Sequence, residues 1–121
     1  MAQYVGWFEI PVIDLDRAIG FYSQVLNAEI EKMHHETSIG VFDHSDNQIG
    51  GCLYQDADFL PSGQGPLLYF SVNGRLDEAL TQVEAQGGKI LQPKQSLGQY
   101  GFRALVLDSE GNRIALHSET A

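Results

Sequence analysis

The chain repeats itself, and the repeat limits what it can fold into. Leu15-x-x-Ala18-Ile19-x-x-Tyr22 returns as Leu76-x-x-Ala79-Leu80-x-x-Val83. Ala28-Glu29-Ile30 returns as Gly88-Lys89-Ile90, and Asp43-x-x-x-Asn47-x-Ile49 as Asp108-x-x-x-Asn112-x-Ile114. Three matches in the same order mark a duplicated module. In 121 residues that duplication leaves room for one domain, which buries roughly 65% of its unfolded surface.

Each copy reads as strand, helix and three strands. Residues 4–12 alternate apolar and aromatic side chains as a strand does, with Pro11 suggesting an edge or an exit. Asp14 stands at the N-cap of the next helix, Asp16 in its first turn and Asn27 at its C-cap. Leu15, Ala18, Ile19, Tyr22, Val25 and Leu26 recur at helical spacing. Strands follow near 28–34, 37–43 and 48–54. The second copy runs as a strand at 66–72, a helix with Leu76, Ala79, Leu80 and Val83 on one face, and strands near 89–93, 101–107 and 112–118. Gly87-Gly88 stops the second helix. Module one is therefore 1–54 and module two 66–121, with 55–65 as a linker carrying Pro61, Gly63 and Gly65. The fold class is α+β: two tandem βαβββ units forming a cupped, partly closed mixed sheet, in a single domain over 1–121.

Charge narrows the function. Sixteen acidic against seven basic residues give a net charge of −9. A field of that sign repels nucleic acid and anionic membrane surfaces. Neither a signal peptide nor a run long enough to span a membrane is evident. The single cysteine, Cys52, allows no internal disulfide, so a reducing cytoplasm is the expected location.

Paired βαβββ modules with Asp-Leu-Asp-Arg-Ala-Ile-Gly-Phe-Tyr at 14–22 resemble the vicinal oxygen chelate superfamily. That group holds glyoxalases, extradiol dioxygenases, methylmalonyl-CoA epimerase and the fosfomycin and bleomycin resistance proteins. The segments at 6–12, 83–90 and 108–117 are similar to those of a glyoxalase-related bacterial branch. The resemblance implies a divalent metal held at four strand positions, two per module. These fall on Trp7, Gly50, Leu67 and Ala115. None of those side chains binds a divalent ion. The expectation is that the usual metal, and any cofactor, is absent. The resemblance also implies a homodimer, with modules packed within one chain or swapped between two.

Strand parity names the remaining candidates. If Trp7 faces the cup, so does Glu9; if Ala115 does, so does His117. Trp7, Glu9, Tyr69 and His117 would then line an apolar pocket with a few polar anchors. Glu9 and His117 are the catalytic candidates. Trp7, Tyr69, Tyr100 and Phe102 are the ligand-binding ones, the last two at a cavity rim. The bland readings are a rim or salt-bridged carboxylate for Glu9 and a solvated or backbone-bonded ring for His117. His34-His35-Glu36 and His44 read as exposed loop, and Cys52 as packing. Phe59 and Leu60 are apolar residues in the linker, able to cover a cavity or a partner. The expected function is metal-independent binding of a small molecule. The alternatives are a lyase, isomerase or epimerase acting on a small carbonyl compound with Glu9 as base, and a structural or protein-interaction role whose cup is filled by its own side chains.

Overall fold

The computed structural model describes residues 4–34, 38–45 and 48–121. Its element order is β1 (Trp7–Pro11), α1 (Leu15–Leu26), β2 (Ile30–His34), β3 (Ser38–Phe42), β4 (Gly50–Tyr54), β5 (Leu68–Ser71), α2 (Leu76–Ala85), β6 (Lys89–Ser96), β7 (Phe102–Leu107) and β8 (Arg113–Ser118). A short 3-10 turn, Gly98–Tyr100, precedes β7. The duplicated βαβββ reading therefore holds. His35, Glu36 and Asn47 lie outside the described residues.

The strands form two four-stranded sheets, ordered β1-β4-β3-β2 and β5-β8-β7-β6. In each the first strand of the module is an edge and pairs in parallel with the last. Pro11 is thus on an edge strand, where a missing N–H costs least. The sheets are not hydrogen-bonded to one another, and neither closes into a barrel.

Helix α1 begins where its sequence says it must. Asp14 accepts a hydrogen bond from the Arg17 N–H at 3.1 Å, and Asn27 ends the helix in the left-handed conformation, at φ 52°. Its inner face buries Leu15, Ala18, Phe21, Tyr22 and Val25. Phe21 is a core residue that the spacing argument passed over. Helix α2 buries Leu76, Ala79 and Val83 and has no side-chain N-cap. Instead Arg75, at its start, donates to the Val25 carbonyl at the end of α1, at 2.7 Å. A cation placed there satisfies an orphan carbonyl at the negative end of α1.

The core lies between helices and sheets and is shared by both modules. Phe8 of β1, Tyr22 of α1, Phe42 of β3 and Phe70 of β5 meet with ring centroids 5.6–6.0 Å apart. Offset and edge contacts of this kind add about 0.5–1.5 kcal/mol each beyond area burial. Strand parity then sends the alternate residues, Trp7, Glu9, Tyr69 and Ser71, to the outer faces, where all four are exposed. No described helix is long and apolar enough to cross a membrane.

A polar latch joins the modules beside this core. The Glu110 carboxylate, in the β7–β8 turn, accepts the backbone N–H groups of Ile13 and Asp14 at 2.9 and 2.8 Å. It also receives Arg17 through two hydrogen bonds. Asn112 donates to the Pro11 carbonyl at 2.7 Å. Asp108, almost fully buried, accepts the Tyr22 hydroxyl, the Asn112 side-chain amide and the backbone N–H groups of Glu110 and Asn112. A carboxylate buried so deeply is tolerable only with its lone pairs occupied this way.

Candidate functional site

The outer face of the first sheet carries a compact group. Trp7 pairs with Gly50 and Glu9 with Cys52 across β1 and β4. The Cys52 thiol donates weakly to the Glu9 carboxylate, at 3.9 Å. Burial pushes the Cys52 pKa up, and the Glu9 charge pushes it further, against a smaller opposing effect of the Trp7 indole N–H. A thiol held in its neutral form is a packing group rather than a nucleophile.

His44 is the residue the sequence reading undervalued. It leaves the chain in the turn after β3, and its residue surface is exposed. The ring nevertheless folds back over Gly50. A Cβ built on Gly50 would come within 2.6–2.8 Å of three atoms of that ring. The ring stands edge-on to Trp7, 5.6 Å between centroids. Its Nδ1 lies 2.8 Å from the Phe42 carbonyl. A carbonyl only accepts, so Nδ1 carries the proton and Nε2 keeps its lone pair while the ring is neutral. The signal that could have found it is Gly50 itself, whose missing side chain leaves room for the ring.

The second sheet carries the other group. Tyr69 pairs with Ala115 and Ser71 with His117. His117 donates from Nε2 to the Tyr100 carbonyl at 2.6 Å, and its ring lies 6.5 Å from that of Tyr69. Arg103 donates to the Tyr69 hydroxyl at 2.6 Å. Tyr100 is largely exposed. Phe102, expected at a rim, is half-buried and packs against the core instead, on the strand face opposite Arg103.

The structure thus brings Tyr69 to His117, and Glu9 to Cys52. It does not bring Glu9 to His117: among the described residues no hydrogen bond or ring contact links them. The reason is topological. Each sits on the outer face of its own sheet, and the two sheets do not run into one another within the chain.

A hollow lies elsewhere, between the modules and beneath the linker. It has a volume of about 360 Å³, at the low end of the ~300–1,000 Å³ typical of small-molecule sites. Phe8 and Ile10 of β1, Phe59 and Leu60 of the linker, and Leu68 and Ile114 of module two form its apolar walls. Glu9 and Arg113 supply its charged groups. The linker is held over it. Ser62 donates its N–H to Asn112 at 3.2 Å, and Arg113 donates to the Gly65 carbonyl at 3.2 Å. Phe59 stacks edge-on against Tyr54. Of the catalytic and ligand-binding candidates Glu9 lines this cleft, as do Phe59 and Leu60, the linker residues expected to cover a cavity or a partner.

A second, shallower groove of about 240 Å³ is lined by Glu29, Glu31, Asp43 and His44, among others. Among the described residues no three His, Cys, Asp or Glu side chains are arranged to hold a metal ion. Across β1 and β4 register pairs Trp7 with Gly50, and across β5 and β8 it pairs Tyr69 with Ala115. The partner of Ala115 is Tyr69, not Leu67, which lies before β5 begins. The indole, bare hydrogen, isobutyl and methyl of Trp7, Gly50, Leu67 and Ala115 are a poor donor set for a divalent cation, and the His44 ring fills the space at Gly50. These residues do not fit that metal.

Residues 4–116 match the family model described as the Glyoxalase/Bleomycin resistance protein/Dioxygenase superfamily. Among solved structures, the chain is similar to a glyoxalase/bleomycin resistance protein/dioxygenase family enzyme from Burkholderia phytofirmans. The two share 16% identity over 94% of this chain and 97% of that one, with a TM-score of 0.73. It is also similar to a hypothetical protein from S. aureus, at 19% identity over 98% and 95%, TM-score 0.74. A genomically encoded fosfomycin resistance protein from Listeria monocytogenes matches at 18% identity over 98% and 94%, TM-score 0.71. No curated protein matches in sequence.

Proposed function

Since the chain belongs to the glyoxalase/bleomycin resistance protein/dioxygenase superfamily, we propose that it binds a small organic molecule in the linker-covered cleft, without the divalent metal that names the wider group. The observation that carries this reading is the cleft itself: about 360 Å³, walled by apolar side chains, with one carboxylate and one guanidinium at its surface. A purely structural module would fill that space with its own side chains. Glu9 serves as a polar anchor. The fosfomycin resistance protein among the structural relatives supports a small-molecule ligand, though not that particular one.

The same reading includes a homodimer in a reducing cytoplasm. Trp7 and Tyr69 are 45% and 52% exposed on the two outer sheet faces, which is costly for large aromatic rings in a monomer. A second copy of the chain would cover them. Cys52 stays a free thiol.

The test is a ligand screen on metal-stripped protein, following melting temperature and the emission of Trp7, the only tryptophan. The expected result is a ligand that binds equally well with and without added divalent ions. One tightly held divalent ion per chain, required for ligand binding, would overturn the proposal.

A further inference from the structure

The charged groups of the cleft point to the class of molecule it takes. Arg17, Lys32, Arg75 and Lys94 each pair with a carboxylate. Lys89, Arg103 and Arg113 have no carboxylate partner among the described residues, and of these three Arg113 is the one that lines the cleft. Its Nη2 reaches only the Gly65 carbonyl, at 3.2 Å, and its Nε is buried with no acceptor. Glu9 is its mirror image, receiving among the described residues only the weak Cys52 thiol donor at 3.9 Å. Both residues line the same cleft, yet they do not pair with each other. A guanidinium at the wall of a cleft with no anionic partner is a ready donor for a ligand's acceptor. In a chain of net charge −9, an arginine left without a carboxylate is the group that makes an anionic end acceptable.

We propose that the cleft binds a compact apolar monocarboxylate, its carboxylate on the Arg113 guanidinium and its apolar body between Phe8, Phe59 and Leu60. A hydroxyl or ammonium elsewhere on the ligand donates to Glu9. The inference rests on the reading of the cleft as a ligand site and adds the chemistry of the ligand. Arginine suits the role because its planar fork matches a carboxylate with two parallel bonds. Glu9 sets a limit from the other side: it repels a second anionic group, so dicarboxylates are excluded.

The experiment measures binding of 3-phenyllactate, 3-phenylpropionate and the methyl ester of each to the native protein, by calorimetry at low salt. The acids are expected to bind at least tenfold more tightly than their esters, with 3-phenyllactate ahead of 3-phenylpropionate. Arg113→Gln abolishes the preference for acid over ester while ester affinity stays within twofold, and Arg113→Lys restores part of it. The native acid–ester comparison needs no variant, so a folding defect in Arg113→Gln leaves the proposal testable. Esters binding as tightly as acids would overturn this proposal and leave the cleft as a ligand site. If none of the four binds, the carboxylate assignment falls, and the broader metal-free screen decides the cleft separately.

Discussion

Glu110 and Arg17 meet through two hydrogen bonds of 2.7 and 3.0 Å across 93 residues of chain. The carboxylate is wholly enclosed while the guanidinium is half exposed. The same carboxylate caps the approach to α1 through the N–H groups of Ile13 and Asp14. One side chain of module two thus closes the start of the module-one helix.

That arrangement sets an acid limit on stability. Burial alone would raise the Glu110 pKa, but Arg17, the Asp14 and Ile13 N–H groups and the Ser109 hydroxyl outweigh it and hold it at about 2. A carboxyl whose folded pKa lies below its unfolded value, roughly 4.3, stabilises the fold above that unfolded value. The contribution drains away as pH falls toward about 2. Glu110→Gln should therefore cost about 3 kcal/mol in urea unfolding at pH 7, and the gap to the native protein should narrow steadily from pH 5 to pH 2. A gap independent of pH would refute the assignment.

Tyr22→Phe removes one donor from Asp108, which is buried and has three others. The expected loss is about 1–3 kcal/mol by chemical denaturation. Combined with Asp108→Asn, the total should be less than the sum of the two single changes, because both break the same bond.

Gly50→Ala should disturb the His44 ring rather than the sheet. The new methyl would stand 2.6 Å from the imidazole, so the ring must leave its place against Trp7. The expected result is a shift of Trp7 emission matching that of His44→Ala, with unfolding free energy changed by about 1 kcal/mol or less. An unchanged spectrum in both variants would show that His44 does not rest there.

Cys52 should resist alkylation at neutral pH. Its thiol is buried and its pKa is raised by that burial and by Glu9. Thiol titration of native protein should give slow or negligible reaction, and full reaction in guanidinium. Rapid labelling of the native state would contradict the enclosed position.

The duplicated pattern made the architecture legible. The period of the apolar residues, Asp14 before the first helix and Asn27 after it each act locally, and the structure keeps them. Strand parity grouped Trp7 with Glu9 and Tyr69 with Ser71, and the strands keep that alternation, since alternation is a property of one strand at a time. The missing step was the relation between the two sheets. The described hollow lies where the modules meet, under Phe59 and Leu60, apolar linker residues of the kind that cover a cavity, and of Trp7, Glu9, Tyr69 and His117 only Glu9 lines it.

The repeated spacings Asp43-x-x-x-Asn47 and Asp108-x-x-x-Asn112 show where the boundary falls. That one is a copy of the other is legible in the residues alone, because the spacing repeats. The sequence could not say that Asp108 would be buried against Tyr22 while Asp43 stays exposed. Nor could it say that Arg113 would come to a cleft beside Glu9, 104 positions away. Those outcomes depend on which surfaces meet when one module packs against the other, and the free energy of a buried carboxylate or guanidinium is set by neighbours that only that packing brings together.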